Sequence, residues 1–396
     1  MPWEEKSKVD QREEFVNRAL TEKISFTDLC AEYGISRNTG YKWKHRYEQY
    51  GLQGLRDLSK RPKESPQKLS EDCIIKILNI KHAHPSWGAR KIQKIFEKNY
   101  PFESVPSESS IKRIFEKAGL VKKRRVKRAD TNQDALRQLI QPEKPNDVWS
   151  VDFKGWWYST DNKKCDPLTI RDDDSRYLLA TRLLQRQATE PVKEVFEEVF
   201  KKYGLPKTIR SDNGTPFAHR GSLLGLTRLS AWWMSLGIIP DRTEVAKPQQ
   251  NGGHERMHRD LKAEVQKINN STYSHNQKIV EEWRREFNHV RPHEALDYQT
   301  PSDRYTPSEI KYNGNVDEII YPVSFERRKV NSNGAVKIKS IEITLSYALY
   351  GYHVGLSQKD EHNRLNVWFN RFLLGEIDLQ TYKFYTIQNE ENNKKC

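Results

Sequence analysis

Cysteine and long apolar runs are scarce in this 396-residue sequence. Four cysteines stand far apart without a Cys-x-x-Cys pair, which argues against both a disulfide framework and a zinc site. No apolar stretch approaches the length that a bilayer-spanning helix needs. The N-terminal residues 1–6 also lack the apolar core of a signal peptide. Together these absences predict a protein of the reducing cytoplasm. The four cysteines are Cys30, Cys73, Cys165 and Cys396.

Positive charge is abundant and unevenly placed. The sequence has 68 Lys+Arg and 54 Asp+Glu, a net charge of +14. Residues 1–150 hold 31 of those cations and 21 of those carboxylates, so 31 − 21 = +10 of the excess lies there. A basic N-terminal region before an acid-centred core is typical of an enzyme that handles DNA, although solubility alone is the alternative. The length predicts two to four domains.

Three acidic residues occur in contexts that predict one shared site. Asp152 interrupts a β-branched and aromatic run typical of a central strand, and Asp212 ends a second β-like run before an Asn-Gly turn signal. Glu255 opens a helical pattern. Three converging carboxylates would repel one another unless a divalent cation neutralised them. All-oxygen ligation suits Mg²⁺ or Mn²⁺, and the predicted chemistry is two-metal phosphoryl transfer on nucleic acid, with Asp152 bridging the ions.

The predicted helix of Glu255 has two distinct sides. Its apolar stripe is Met257, Leu261, Val265 and Ile268. On the other side we predict phosphate contacts from His258, Arg259 and Lys262. The alternative for Glu255 is a plain ion pair with Arg259. His254 and His258 could suggest zinc, but no matching Cys or second His pair exists, so hydrogen bonding to phosphate is favoured.

Residues 1–57 have the pattern of a helix-turn-helix unit. Two apolar helical stripes are followed by Gly34, a C-terminal stop, and by Ser36, which suits the N-cap of a third helix. We predict that Arg37, Asn38 and Lys42 on that helix face the major groove. An ordinary three-helix bundle is the alternative.

A second helix-turn-helix unit is predicted for residues 69–121, after a proline-bearing linker at 58–68. Ser107 or Ser109 would cap its last helix, leaving Lys112 and Arg113 available to DNA. A basic linker follows at 122–145, and six of its cations are predicted to follow a phosphate track, although a solvated linker would look the same. They are Lys122, Lys123, Arg124, Arg125, Lys127 and Arg128.

Residues 146–312 change to long strands followed by helices, an α/β order of the RNase H type with a mixed sheet. The hairpin tip at 172–175 is rich in aspartate, for which a structural role is favoured over a metal site. Residues 318–388 alternate like the strands of a small all-β barrel. The cations of that segment could contact DNA or simply prevent edge-strand aggregation.

The motifs resemble those of a known family. Trp149-Ser-Val-Asp152, Arg210-Ser-Asp212-Asn-Gly-Thr-Pro-Phe217 and Pro248 to Lys262 closely resemble the catalytic core of DDE insertion-sequence transposases, within the retroviral integrase superfamily. The segment Asn288 to Leu296 is similar to the one that closes that core. The resemblance implies an RNase H-like fold, Mg²⁺, DNA end cleavage and strand transfer, at least a dimer, and metal-ligand roles for Asp152, Asp212 and Glu255.

Two departures from the family pattern bear on the site. The spacing between the second and third acids exceeds that of many relatives, so residues 218–240, with Trp232-Trp233, are predicted to be an insertion whose tryptophans favour core packing over base stacking. The two-His, two-Cys domain of retroviral integrases is absent, which favours a bacterial, nucleoid-associated element. The predicted function is a polynucleotidyl transferase that binds terminal inverted repeats and joins them to target DNA. The alternatives are a non-catalytic DNA-binding regulator and a metal-dependent nuclease.

Overall fold

A computed structural model describes residues 7–59, 69–121, 139–219, 221–222, 224–243, 252–265, 271–359 and 363–387. The six cations of the basic linker lie outside the described residues. The chain divides into two compact units, residues 1–70 and residues 71–396. No helix within the described ranges is long and apolar enough to cross a membrane.

The first unit is a small helical domain. It contains α1 (Lys8–Thr21), α2 (Phe26–Glu32) and α3 (Arg37–Tyr50). Gly34 makes the turn between α2 and α3 with a φ of +64°, where a side chain would be strained. The Ser36 hydroxyl accepts the backbone N–H of Thr39 at 3.3 Å, the predicted N-cap. Its core is formed by Phe15, Val16, Leu29, Cys30, Trp43 and Leu55.

The second unit begins with another three-helix segment. Its helices are α4 (Glu71–Ala83), α5 (Ala89–Asn99) and α6 (Glu108–Lys117). Ser107 caps α6, because its hydroxyl accepts the N–H of Ser110 at 3.2 Å. This segment contacts the rest of the unit through polar groups. His84 Nδ1 lies 3.0 Å from Glu286 Oε1, and the Arg90 guanidinium lies 5.0 Å from the ring centroid of Tyr298.

A mixed sheet forms the centre of the second unit. In chain order its described strands are β1 (Val148–Phe153), β2 (Trp157–Tyr158), β3 (Lys164–Asp172), β4 (Leu178–Leu184), β5 (Thr208–Ser211) and β6 (Ile239–Arg242). The first part is an antiparallel meander in which β3 pairs with β1, β2 and β4. The strands β5 and β6 continue the sheet from β1 in parallel. This is the RNase H-type mixed sheet that the sequence predicts.

Helices cover both faces of the sheet. On one face, α7 (Thr189–Tyr203) and α8 (Arg228–Ser235) enclose a core that includes Trp149, Phe196 and Trp233. On the other face, α9 (Gly252–Val265) and α10 (Tyr273–His289) pack on β3 and β4. The chain then continues through a 3₁₀ turn (Glu294–Leu296) and α11 (Pro301–Arg304).

Residues 218–240 are predicted to be an insertion, and α8, in their described part, packs in this core. They contain α8, which connects the parallel neighbours β5 and β6, and such a connection requires a crossover element. The prediction of core packing for the two tryptophans agrees with the structure, since Trp232 and Trp233 are both buried in the main core. Ala231 and Met234, from the same helix, pack instead against the C-terminal segment.

The C-terminal segment consists of β-strands. Its strands are β7 (Glu326–Lys329), β8 (Ala335–Ile338), β9 (Ile341–Thr344), β10 (His353–Gln358), β11 (Arg364–Phe369), β12 (Phe372–Asp378) and β13 (Lys383–Thr386). In the part of the chain that is described, these strands pair as a five-stranded sheet, β13-β12-β11-β10-β7, and a separate β8-β9 hairpin. This pairing gives β sheets, as predicted.

Candidate active site

Asp152 and Asp212 occupy equivalent positions on adjacent parallel strands. The register of β1 and β5 pairs Ser150 with Arg210, and each aspartate lies two residues further along its strand direction. The side chains of Ser150 and Arg210 both contact Asp173, so these two positions face the same side of the sheet. Because side chains alternate along a strand, Asp152 shares that side. The two predicted ligands therefore lie near the carboxyl ends of neighbouring strands.

Asp212 is the first residue after β5 and is exposed. Its Oδ1 accepts the backbone N–H of Gly214 at 3.1 Å, which forms the Asx-type turn that the Asn-Gly signal predicts. Asn213 extends the other way, and its amide donates to the Thr243 carbonyl. The turn thus holds the Asp212 carboxylate at the surface, while the following residue is anchored near the end of β6.

Glu255 lies in the first turn of α9 and is exposed. The opposite face of that helix is buried as predicted, with Met257 at 2% exposure and Leu261 at 0%. Of the further stripe positions, Ile268 lies outside the described residues and only the backbone of Val265 is described. Arg259 and Lys262 are exposed, consistent with the predicted outward face.

The two histidines of α9 are turned inward. His254 is fully buried, and neither ring nitrogen has a hydrogen-bond partner among the described residues. Burial, then the charges of Arg171 and His258, lower the pKa of its imidazole well below the usual value. A ring with no exposed surface has no path to phosphate in this conformation, which is a correction to the sequence interpretation of His254.

His258 joins α9 to the strand of Asp152. Its Nε2 lies 2.9 Å from the Thr169 hydroxyl, and that hydroxyl donates to the backbone carbonyl of Asp152 at 3.0 Å. His258 Nδ1 lies 3.9 Å from Asp152 Oδ2, and the two side chains are only 13% and 20% exposed. Burial, followed by Lys154 and Arg171, lowers the pKa of His258 to about 3. The His258 ring therefore contacts Thr169 and lies near Asp152, and it is mostly buried. The sequence pattern predicts instead that it contacts DNA.

A buried ion network lies beneath the site. Arg171 donates to Asp173 at 2.6 Å, and Arg210 donates to Asp173 at 3.2 Å and to Asp241 at 3.0 Å. The network links β3, the hairpin tip, β5 and β6. Arg171 also underlies the start of α9, because a Cβ built on Gly253 would fall 2.5 Å from its Nη2. Glycine at that position permits the close approach of helix and guanidinium.

The aspartates of the hairpin tip are structural, as the sequence analysis favoured. Asp172 accepts from the backbone N–H and the hydroxyl of Ser175, and Asp174 pairs with Arg304 at 2.6 Å. Together with Asp173 in the ion network, all three side chains have protein partners. Their role is to fix the β3–β4 turn.

The predicted ligands fit a divalent cation in chemistry and partly in placement. Asp152 and Asp212 offer carboxylate oxygens from neighbouring strand ends, the donor type that Mg²⁺ and Mn²⁺ prefer. The helix of Glu255 is anchored one turn further on, through His258. In the described ranges, however, no three His, Cys, Asp or Glu side chains are close enough to hold an ion. The β1–β5 pairing brings the segments of Asp152 and Asp212 together, and His258, one turn beyond Glu255, contacts Thr169 beside Asp152.

The predicted DNA-contacting residues of the helical segments are at the surface. Arg37, Asn38 and Lys42 are exposed on α3, and Lys112 and Arg113 are exposed on α6. Each set lies on the third helix of its segment, with a serine at the N-cap. Both segments thus present the polar-fronted helix that the sequence predicts for a helix-turn-helix unit.

Three residues near the acids were missed by the sequence analysis. Thr169 faces Asp152 directly in the β1–β3 register, a pairing that the sequence analysis did not specify. Lys154 is half-buried two residues beyond Asp152, where burial and the nearby charge of Lys262 lower its pKa. Arg171 stands in a strand whose sequence gives no sign that its side chain reaches under α9.

Comparison with known families agrees with this architecture. The integrase core domain matches residues 142–248, and a second integrase core domain family matches residues 236–301. A helix-turn-helix domain matches residues 11–63, and a homeodomain-like domain matches residues 39–115. The integrase matches span the strands of Asp152 and Asp212 and the helix of Glu255.

Similar proteins come from bacterial insertion elements. The uncharacterized 31.7 kDa protein of insertion element IS407 from Burkholderia multivorans is 26% identical over 242 residues, which is 60% of this chain and 82% of that protein. The uncharacterized 39.2 kDa protein of insertion element IS476 from Xanthomonas euvesicatoria is 25% identical over 235 residues, 58% of this chain and 63% of that protein.

Among solved structures, the catalytic core domain of HTLV-2 integrase in complex with magnesium is similar at 15% identity. The match covers 41% of this chain and 99% of that structure, with a TM-score of 0.33, too low to support a functional conclusion. The likeness to insertion-element transposases rests instead on the family matches and on the insertion-element relatives. They place helix-turn-helix domains and an integrase core in one chain, as expected of a DDE insertion-sequence transposase.

Proposed function

Since the chain has the domains of a DDE insertion-sequence transposase, we propose that it binds the terminal inverted repeats of a mobile element, cleaves the element ends and joins each 3′-OH to target DNA. The observation that carries this proposal is the placement of Asp152 and Asp212 at equivalent ends of adjacent parallel strands. The helix of Glu255 is tied to the same strand through His258 and Thr169.

In this proposal Asp152, Asp212 and Glu255 hold the divalent ions. When bound, Mg²⁺ or Mn²⁺ would supply positive charge that stabilises the attacking and leaving oxygens of an in-line displacement. The protein's own part is to fix the acids on one strand, one strand end and one helix, and to provide cations beside them. Arg259 and Lys262 are exposed on the helix of Glu255, where they would contact phosphates near the cut.

The helical segments would supply recognition of the element ends. The exposed residues of α3 and α6 would enter the major groove, and the six cations of residues 122–128 would follow phosphate between the recognition and catalytic segments. Paired ends call for at least a dimer. We also infer that the C-terminal sheets close into a small barrel, and that the protein acts at the nucleoid in a bacterial cytoplasm.

A joining assay tests this function. The substrate is duplex DNA carrying the inverted repeats that flank the gene, and a supercoiled plasmid serves as the target in Mg²⁺. The wild-type protein is expected to yield 3′-end cleavage and covalently joined product. Asp152→Asn, Asp212→Asn and Glu255→Gln are expected to retain end binding and to lose both products.

Glu282→Gln is the matched control, since Glu282 is exposed on α10 and away from the three acids in sequence. It should cleave and join as the wild type does. Joined product from Asp152→Asn or Glu255→Gln would contradict the proposal. Cleavage without joining would indicate a nuclease, and end binding without cleavage by the wild type would indicate a regulator.

A further inference from the structure

His258 is oriented by a hydrogen bond to Thr169, which is itself bonded to the backbone of Asp152. The Thr169 hydroxyl lies 2.9 Å from His258 Nε2 and 3.0 Å from the Asp152 carbonyl oxygen. Thr169 is also the direct register partner of Asp152 in the β1–β3 pair. The imidazole is therefore positioned by the same strand pair that positions the predicted bridging acid.

The hydrogen-bond chain determines which ring nitrogen has a proton. A hydroxyl has one proton, and the Thr169 hydroxyl donates it to the Asp152 carbonyl, which can only accept. The contact with His258 then requires Nε2 to be the donor. In the neutral ring, Nδ1 is left with its lone pair.

The Asp152 carboxylate lies close to Nδ1. His258 Nδ1 and Asp152 Oδ2 are 3.9 Å apart, too far for a hydrogen bond. Nδ1 and the carboxylate oxygen are both hydrogen-bond acceptors, so they cannot bond to each other directly. Metal–nitrogen and metal–oxygen bonds are each about 2.0–2.2 Å long, so a small rotation of the Asp152 carboxylate would bring both atoms within reach of one ion.

We propose that His258 is a further metal ligand, and that its Nδ1 binds the divalent ion held by Asp152. The inference rests on the proposed function, because it assumes that an ion is bound at Asp152. It changes the donor set from oxygen alone to oxygen and nitrogen. An imidazole donor favours Mn²⁺ over Mg²⁺, since Mg²⁺ prefers oxygen ligands.

Pulsed electron paramagnetic resonance with Mn²⁺ tests this ligand directly. The full chain is loaded with one equivalent of Mn²⁺ alone, and the electron spin echo modulation is recorded. A directly bound imidazole gives ¹⁴N modulation, and protein made with ¹⁵N-histidine should replace it with the ¹⁵N pattern. This comparison needs no substitution and therefore does not depend on a variant folding.

Three variants locate the nitrogen. His258→Gln should retain Mn²⁺ binding, lose the histidine modulation and weaken the Mn²⁺ dissociation constant by about tenfold, with a smaller change for Mg²⁺. His275→Gln, an exposed histidine on α10, is the matched control and should keep the modulation. Asp152→Asn should lose both the bound ion and the modulation.

The outcomes separate the two proposals. Mn²⁺ that depends on Asp152 but shows no histidine modulation would overturn the role of His258 and leave the proposed function standing. Modulation that survives in His258→Gln would likewise overturn it. Failure of the wild type to bind Mn²⁺, or binding unaffected by Asp152→Asn, would contradict the metal site on which the proposed function itself depends.

Discussion

The buried pair of Arg210 and Asp241 should be critical for the strand that ends at Asp212. The two residues are direct register partners on β5 and β6, and their side chains are 9% and 2% exposed. Arg210 also donates to Asp173 and to the Ile140 carbonyl. Replacing Arg210 with Met removes the cation while keeping much of the side-chain volume. The Asp241 carboxylate would then be buried without that counter-charge.

The size of the expected destabilisation follows from the burial of the Arg210–Asp241 pair. Removing one partner of a buried ion pair costs about 3–5 kcal/mol, whereas replacing both by apolar residues is often close to neutral. The variant Arg210→Met should therefore destabilise β5 and β6 strongly. The double variant Arg210→Met/Asp241→Leu should recover most of the loss, because no buried charge is stranded at the β5–β6 pair.

Hydrogen-exchange mass spectrometry in the full chain measures this locally. At about 1.4 kcal/mol per tenfold, amides of β5 and β6 in Arg210→Met should exchange at least ~100-fold faster than in the wild type. The double variant should lie nearer the wild type than the single variant does. A single variant within ~5-fold of the wild type would refute the reasoning, as would a double variant that exchanges as fast as the single one.

Three further predictions concern other parts of the molecule. Gly253→Ala should lower joining activity and thermal stability together, because its Cβ would lie 2.5 Å from Arg171 Nη2. Gly252→Ala is the control and should be tolerated, since nothing lies within 4 Å of a Cβ built there. Equal effects of the two substitutions would contradict this prediction. Burial raises the pKa of Asp172 to about 6, so its contribution to the unfolding free energy should fall as pH rises from about 4 to 6. The difference between wild type and Asp172→Asn in pH-dependent denaturation checks that sign, and a difference that does not vary with pH would count against it. Replacing the six cations of residues 122–128 by Gln should reduce the slope of log affinity against log salt by up to ~0.9 per lost contact, measured by fluorescence anisotropy, and an unchanged slope would make the stretch a plain linker.

Much of the architecture could be predicted because local signals and tertiary packing agree. The capping serines Ser36 and Ser107 hold their helices as expected, and the apolar stripe of Met257 and Leu261 is buried. The two aspartates could be placed on strands because a charged residue in a β-branched run is conspicuous. Their adjacency required the parallel pairing of β1 and β5, which the RNase H pattern implies.

The side-chain partners could not be predicted because they depend on packing between distant segments. Spacing placed His258 on the outward side of α9, yet the ring turns toward Thr169, which lies 89 residues away in sequence. Spacing along the chain also did not reveal that α8, within residues 218–240, connects β5 and β6. The pairing of the C-terminal strands likewise depends on contacts between segments that are distant in sequence.

The most direct test of the central claim is a change of metal preference at Asp212. Asp212 is exposed just after β5, so a cysteine there would lose the hydrogen bond from Gly214 but should leave the sheet intact. The variant Asp212→Cys offers a thiolate, which suits Mn²⁺ better than Mg²⁺. We expect it to give no joined product in Mg²⁺ and to regain joining in Mn²⁺. Joining at the wild-type level in Mg²⁺ would contradict the assignment of Asp212 as a metal ligand.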